Sequence, residues 1–259
     1  MPCCVIGPGL VGSFLGAAAN APWVVSRRGR PVHEQVLLPR GMRCWQPRQI
    51  ASPTAPALVA TRVHQTNWAH LPVHSLAAQN GLGQPIPVVV CFMAIDRLAD
   101  GCITSIGVPP RLVVGPLAPC WRPVLEAWSA AGITIQEVAD PQPAQFEKAI
   151  LNATVGPLCL ATGLTMAQIW ADPTWRALAL EATREGVLIA KDRGVRIEPG
   201  IAERACRFFS QVGTHVPSIV RDPGELPSIL GYLLGCAVSP APALEHIASL
   251  LATSNAVSR

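Results

Sequence analysis

The chain has 259 residues, of which 50% are hydrophobic and 14% are charged, and its formal net charge is +4 at neutral pH. A chain of this length and composition can bury one large core or two moderate ones. Its basic residues form no long block, and no apolar run reaches the ~18 residues of a membrane-spanning helix, so we expect neither nucleic acid nor a membrane as its main partner.

Short apolar strands alternate with helices in the first half of the chain. Strand formers at 3–6 precede several glycines and a small apolar helix at 13–21. Further strands are predicted at 23–26, 57–61, 75–79, 88–94, 111–114 and 133–138. Several of them are apolar without strict alternation, which is typical of parallel strands that are covered on both faces.

Helical periodicity dominates the second half. The two prolines of 140–143 predict a linker. The helices predicted beyond it lie at 146–162, 174–193, 201–212, 226–237 and 243–252. The pattern therefore predicts an α/β fold, with a parallel-sheet domain at 1–141 followed by an all-helical domain at 142–259.

The N-terminus fits either a leader peptide or a nucleotide-binding turn. Residues 5–19 are apolar and Ala19-Asn20-Ala21 resembles a signal-peptidase site, but no Lys or Arg precedes the run. The nine cysteines show neither C-x-x-C spacing nor a Cys/His cluster, which favours free thiols in a reducing compartment. We expect a soluble, cytoplasmic protein without a metal site.

A glycine motif lies between the first predicted strand and the first predicted helix. In G-x-G-x-x-G, Gly7 permits a tight turn, Gly9 lets the backbone approach a pyrophosphate, and Gly12 lets the helix pack on the strand. The helix N-terminus then offers N–H groups to the phosphates. We therefore predict a Rossmann-type domain that binds a dinucleotide through Gly7, Gly9, Leu10, Val11 and Gly12. An ordinary glycine-rich turn is the alternative.

Arginines follow the second predicted strand, at the place where an NAD-binding chain carries an acid. The sequence there contains Ser26, Arg27 and Arg28, with no Asp or Glu before Glu34. A carboxylate repels a 2′-phosphate, whereas a guanidinium offers it a planar fork of donors. The sequence therefore predicts NADP(H), with Arg27 the first choice and Arg28 the second. Solvated loop charges are the alternative interpretation.

Lys148 and Asn152 are four residues apart in a predicted helix, so they share one face of it. A lysine in a partly closed cleft can donate a proton to a carbonyl oxygen as hydride reaches the carbon, and its charge stabilises the developing alkoxide. By spacing alone, a surface lysine beside a polar neighbour is the far more common interpretation of this pattern.

Four segments, in order along the chain, resemble the ketopantoate (2-dehydropantoate) reductase family. The first is the glycine turn with Arg27 beyond it. The others are Gln79-Asn80-Gly81-Leu82-Gly83, Lys148-x-x-x-Asn152, and Ser218–Asp222 with Glu225–Gly231. Together these segments span most of the chain.

The resemblance implies NADPH-dependent reduction of ketopantoate to pantoate, a precursor of pantothenate and coenzyme A. It implies that Lys148 is the general acid and that Glu225 holds Lys148 or the substrate hydroxyl in place. It places Asn80 where nicotinamide and substrate meet, and it implies that Asn80, Asn152 and Ser218 contact the substrate.

The chain departs from the family pattern at several positions. A second Asn is usual one helical turn after Asn152, where this chain has Gly156. Arg62, which we assign to the cofactor, replaces a usual lysine, and Leu230 replaces the Asn of the last motif. Two alternatives stay open: a reductase of another 2-oxoacid, and an NADPH-binding protein without turnover. The apolar helices would suit a homodimer interface or an internal core.

Overall fold

The computed structural model describes residues 3–27, 29, 31–53, 56–213 and 215–257, with side chains up to 253. The chain divides into two compact units. The first comprises Met1–Gln79 and Gln84–Pro141, and the second comprises Asn80–Gly83 and Gln142–Arg259. The sequence pattern predicted one domain over 1–141, whereas the structure groups Asn80–Gly83 with the helical unit.

Short strands and two longer helices make up most of the first unit. The strands are β1 (Cys4–Ile6), β2 (Trp23–Val25), β3 (Glu34–Leu38), β4 (Gly41–Trp45), β5 (Arg48–Gln49), β6 (Ala57–Val59), β7 (Ser75–Ala77), β8 (Val89–Phe92), β9 (Ile95–Arg97), β10 (Ile103–Ser105), β11 (Arg111–Val114) and β12 (Thr134–Glu137). The helices are α1 (Leu10–Ala19) and α2 (Arg122–Ala130).

Five of these strands form a parallel sheet in the order β5-β2-β1-β6-β7. The side chains of Val5, Val24 and Leu58 have no exposed surface, as expected for central strands of a covered sheet. From β1 the chain runs outward to β2 and β5, and then returns to the other side of β1 as β6. Ligands of such sheets bind at the carboxyl ends of the strands where the order reverses. The predicted fold class is confirmed.

Two smaller sheets, β4-β3-β10-β9 and β12-β11-β8, complete the first unit. The β3–β4 hairpin, β5, β9, β10 and α2 were not predicted from the sequence. The hairpin is anchored by a residue distant in sequence, because the Trp45 indole of β4 donates a hydrogen bond to the Ala21 carbonyl at 2.8 Å. The same indole lies against Gly16, where a Cβ would come within 2.5 Å of the ring. A larger residue at that position of α1 would displace the hairpin.

Helices form the second unit. They are α3 (Gln142–Thr162), α4 (Met166–Ala171), α5 (Pro173–Asp192), α6 (Ile201–Val212), α7 (Ser218–Arg221), α8 (Tyr232–Gly235) and α9 (Pro242–Val257). Helix α3 is central and packs on α5 and α9. Glycine allows the close approach of α5, since a Cβ at Gly186 would lie 2.8 Å from Ile150. Glu185 accepts the N–H groups of Ala243 and Leu244 at 2.8 and 2.9 Å, which caps α9.

Several details differ from the sequence-based prediction, which did not include α4 and α7. Helix α3 begins at Gln142, so half of the predicted linker is helical, and Pro143 is tolerated because the first turn needs no N–H donor there. The single helix predicted at 226–237 is instead a π turn (Pro227–Gly231) followed by α8, and a 3-10 turn (Pro223–Glu225) precedes them. Among the described residues, none of the helices is both long and apolar enough to cross a membrane.

Cysteine side chains contribute to both units as free thiols. Cys3 and Cys159 are buried, and this burial raises the pKa of each thiol to about 12, because the charged thiolate loses its solvation. Cys44, in β4, is exposed. The chain therefore combines inert interior thiols with an accessible one.

Candidate active site

The glycine turn of the first unit is closely packed at its ends and open at its middle. Gly7 has φ of +86°, and a Cβ there would lie 2.6 Å from the Thr61 methyl group. A Cβ at Gly12 would lie 2.2 Å from the Gly7 carbonyl oxygen. By contrast, Gly9 is exposed and no atom lies within 4 Å of the position of its Cβ. This is the form that a pyrophosphate cradle requires.

The N-terminus of α1 opens directly from this turn. Gly9 is the N-cap residue, it provides no side-chain cap, and the first turn carries no acidic residue. The first-turn N–H groups of Leu10 and Val11 are therefore available to an anion, and the helix dipole favours negative charge at this end. The residues present thus fit the phosphates of a dinucleotide.

The loops that follow β2 and β6 meet through Arg27. Its guanidinium donates to the side-chain oxygen of Gln65 at 3.0 Å. Gln65 ends a 3-10 turn, Val63–Gln65, whose N-cap is Arg62. The structure thus brings two predicted cofactor residues, Arg27 and Arg62, onto neighbouring loops, while Arg28 lies outside the described residues. Two arginines on the neighbouring loops that follow β2 and β6 make this edge of the sheet suited to a phosphate.

A polar cluster beyond β6 and β7 was not predicted from the sequence. The Gln79 amide nitrogen donates to the Thr61 carbonyl and to the Thr66 hydroxyl, both at 2.7 Å. The amide oxygen of Gln79 is buried and makes no hydrogen bond within the described part of the chain. An unpaired buried acceptor is costly in a protein interior. Its position after β7 marks Gln79 as a further polar group at the carboxyl edge of the sheet.

In the second unit, three predicted site residues form one hydrogen-bonded chain. The Asn80 amide nitrogen donates to the Ser218 hydroxyl at 3.0 Å. That hydroxyl in turn donates to the Glu225 carboxylate at 2.7 Å. Glu225 is only 4% exposed. The fold therefore joins residues that lie 138 positions apart in the sequence around one buried carboxylate.

The backbone next to Asn80 packs closely against the backbone at Ser228, and this contact holds Asn80 in the chain of hydrogen bonds. Gly81 has φ of +97°, and a Cβ there would lie 2.4 Å from the Ser228 carbonyl oxygen. The Ser228 hydroxyl bonds back to the Glu225 carbonyl at 2.9 Å, within the irregular turns before α8. A π turn redirects the backbone at functional sites in many proteins. Here it faces the loop that carries Asn80.

Lys148 and Asn152 lie one helical turn apart on α3, as predicted, and both are half-buried. The Lys148 ammonium lies 5.9 Å from the centre of the Phe208 ring. The side-chain nitrogen of Asn152 is buried and has no hydrogen-bond partner within the described residues. A buried donor of this kind fits a ligand oxygen. The roles assigned to the two residues stay predictions.

Apolar side chains surround Gly156, which lies one helical turn after Asn152 on α3. A Cβ at Gly156 would lie 3.0 Å from a methyl group of Ile219 and 3.6 Å from the Cβ of Pro217. Ile219 is 2% exposed. The position that carries an Asn in the family is therefore closed here by apolar atoms.

Comparison with known proteins identifies a matching family model and similar solved structures. Residues 140–254 match the family described as ketopantoate reductase PanE/ApbA C terminal. No curated protein matches the chain by sequence. The structure is similar to that of a 2-dehydropantoate 2-reductase from Geobacter metallireducens, with a TM-score of 0.82, 20% identity, and coverage of 98% of this chain and 100% of that one.

Two further solved structures are similar over their full length. A dimeric ketopantoate reductase from Staphylococcus aureus gives a TM-score of 0.77 at 17% identity, with 100% of both chains covered. A D-mandelate dehydrogenase, solved with NADH and anilino(oxo)acetate, gives 0.79 at 14% identity, also with 100% of both chains covered. At such identities these structures demonstrate a shared fold.

Proposed function

We propose that this chain, which belongs to the ketopantoate reductase family as its sequence motifs predict, reduces a 2-oxoacid with NADPH. Ketopantoate is the leading substrate and pantoate the product, which would place the enzyme in pantothenate biosynthesis. The observation that carries the proposal is the hydrogen-bonded chain Asn80–Ser218–Glu225, because it sets polar groups around a buried carboxylate in the helical unit.

The first unit would hold the cofactor. The turn at 7–12 receives the pyrophosphate on its backbone N–H groups, and Arg27 with Arg62 receives the 2′-phosphate. When bound, NADPH supplies the hydride. The absence of an acid after β2 and the pairing of Arg27 with Gln65 support NADPH over NADH, since a carboxylate there would repel the extra phosphate.

Lys148 would supply the proton. As hydride reaches the 2-oxo carbon, the carbonyl π bond breaks and its oxygen takes a proton from the Lys148 ammonium, which solvent later reprotonates. The reaction consumes a 2-oxoacid, NADPH and one proton and yields a 2-hydroxyacid and NADP⁺. Lysine is rare in this chain, since 18 of its 20 basic residues are arginines and the two lysines are Lys148 and Lys191. An arginine cannot readily give up its proton, so it cannot replace lysine in this step.

The remaining polar groups would orient the substrate. Asn152 directs its unpaired donor at a substrate oxygen. Ser218 fixes the Glu225 carboxylate, and Asn80 is fixed through the same hydroxyl. Donors held in place before the reaction stabilise developing charge without reorganisation, which is the main contribution of such sites to the rate.

The direct test measures NADPH oxidation with ketopantoate and a panel of other 2-oxoacids. We expect Lys148→Ala and Lys148→Arg to lower kcat by at least about 100-fold while NADPH affinity is kept. Lys191→Arg, a change at an exposed lysine, is the matched control and should retain full activity. Unchanged turnover in Lys148→Ala would refute the assigned role. Tight NADPH binding without turnover on any acid would favour the non-catalytic alternative.

A second candidate is a reductase of a 2-oxoacid with an apolar side chain. The apolar surroundings of Gly156 favour it, because no side chain there can hydrogen-bond a substrate hydroxyl. The similar D-mandelate dehydrogenase was solved with anilino(oxo)acetate, an aromatic 2-oxoacid derivative. Turnover on aromatic or branched 2-oxoacids in preference to ketopantoate would select this candidate.

We also propose that the chain forms a homodimer, as in the Staphylococcus aureus enzyme. Light scattering of the purified protein tests this.

A further inference from the structure

The ring of Phe208 faces the predicted catalytic lysine. The Lys148 ammonium lies 5.9 Å from the ring centre, within the range at which the negative face of a π system attracts a cation. Lys148 and Phe208 are both half-buried, on α3 and α6 respectively. The attraction is stronger where water is partly excluded, because less of the charge is screened.

Neighbouring rings fix the orientation of Phe208. Phe209 packs edge-on against it, with ring centres 5.4 Å apart and an interplanar angle of 82°. Phe209 is 3% exposed and in turn contacts Trp170 of α4, with centres 5.5 Å apart. A ring supported in this way presents one defined face, so its effect on the ammonium depends little on side-chain motion.

An ion pair holds α6 to α3 beside this contact. The Arg204 guanidinium donates two hydrogen bonds of 2.8 Å to the Glu147 carboxylate. Arg204 lies one helical turn before Phe208, and Glu147 directly precedes Lys148. Since bidentate pairs have a fixed geometry, this pair sets the register of the two helices at the point where the lysine meets the ring.

We propose that Phe208 is a positioning residue for Lys148. Its ring favours the charged ammonium and holds it over one side of α3, where it is ready to donate a proton. The inference rests on the proposed function and goes beyond it, because no sequence motif includes Phe208. Glu147, the residue directly before Lys148, pairs with Arg204 of α6.

Kinetic analysis of substitutions at Phe208 provides the first test. Phe208→Leu and Phe208→Met remove the ring but keep a large apolar side chain, and Phe208→Tyr keeps the ring. We expect the first two to lower kcat by about 3- to 10-fold, with KM nearly unchanged, and to move the alkaline limb of the pH profile of kcat about half a unit to one unit lower. Phe208→Tyr should restore both properties.

A second readout is independent of turnover. Because Lys148 and Lys191 are the only lysines, protein grown with isotope-labelled lysine gives two ε-methylene signals, which Lys191→Arg assigns. We expect the titration midpoint of the Lys148 signal to fall by about half a unit to one unit in Phe208→Leu and Phe208→Met. Phe208→Tyr, which keeps the ring, is the matched control and should retain the wild-type midpoint, and the exposed Lys191 is an internal reference.

The outcomes separate the two proposals. If the wild-type protein is inactive but the Lys148 midpoint shifts when the Phe208 ring is removed, the proposed reductase function is refuted. The interaction between Phe208 and Lys148 is then still supported. An active enzyme whose Lys148 midpoint is the same in wild type, Phe208→Met and Phe208→Tyr would overturn the positioning role, even if kcat fell through loss of packing. Thermal unfolding of each variant identifies those that are folded, and Phe208→Met replaces Phe208→Leu if the latter does not fold.

Discussion

The hydroxyl of Ser218 donates to the carboxylate of Glu225 at 2.7 Å, and that carboxylate is only 4% exposed. Ser218→Ala removes this donor and also separates Asn80 from the chain of hydrogen bonds. A hydrogen bond to a charged group contributes about 1.5–3 kcal/mol, so we expect kcat/KM to fall by about 10- to 100-fold. Steady-state kinetics check this, with the exposed Ser129→Ala as control. Unchanged kinetics would show that Glu225 does not depend on Ser218.

Gly156 is predicted to limit which substrates the pocket accepts. In Gly156→Asn the new Cβ meets the Ile219 methyl group at 3.0 Å, so we expect a loss of about 1–3 kcal/mol in the free energy of unfolding. The double variant Gly156→Asn/Ile219→Ala has room for the side chain. It should increase kcat/KM for ketopantoate relative to apolar 2-oxoacids, whereas Ile219→Ala alone should not. A double variant with unchanged substrate preference would show that this position does not select the substrate.

Arg27 should discriminate between the two nicotinamide cofactors. Arg27→Ala removes a guanidinium from the edge of the predicted 2′-phosphate site, and we expect NADPH to bind about 10-fold more weakly with little change for NADH. Fluorescence titration with both cofactors measures the ratio of affinities. Arg40→Ala, which removes an exposed arginine next to the β3–β4 turn, should leave that ratio unchanged. Equal weakening of both cofactors would contradict a phosphate-specific role.

The buried thiols predict a loss of stability at alkaline pH. Unfolding exposes Cys3 and Cys159, whose thiols then ionise near pH 9, whereas burial keeps them protonated in the folded chain up to about 12. The contribution of these thiols to the free energy of unfolding is therefore complete below pH 9. It is lost as the pH rises from 9 towards 12, by at most about 1.4 kcal/mol per thiol for each pH unit.

Urea unfolding at neutral pH and at intervals above pH 9 measures this dependence. The double variant Cys3→Ala/Cys159→Ala should show a shallower alkaline decline than the wild type. Cys44→Ala, at an exposed thiol, should follow the wild-type curve. Parallel curves for the wild type and the double variant would show that other groups cause the alkaline loss.

Local patterns predicted the parts of the fold that depend on neighbouring residues. The glycine turn was recognisable because its backbone demands particular residues at fixed spacing, as the positive φ of Gly7 illustrates. The strands β1, β2 and β6 were recognisable from their continuous apolar character. Likewise, the helical half followed from periodicity, and residues 140–254 match the C-terminal model of the family that the motifs resemble.

Contacts between distant residues account for what the sequence did not predict. The β3–β4 hairpin depends on Trp45 packing against Gly16, which no local window of sequence contains. The unpaired oxygen of Gln79 results from a cluster with Thr61 and Thr66, and the approach of Phe208 to Lys148 depends on where α6 lies. Candidate site residues that belong to motifs could therefore be predicted from the sequence, whereas candidates that depend on tertiary packing could not.

The position of the two lysines gives the chain an intrinsic proteolytic reporter. A protease that cuts only after lysine has two sites, one after Lys191 in the last turn of α5 and one after Lys148 within α3. Helix ends fray easily, whereas cleavage within α3 requires local unfolding of a buried helix. The ratio of the two cuts therefore reports the opening free energy of the helix that carries Lys148, and a ligand that binds this helix should slow the second cut selectively.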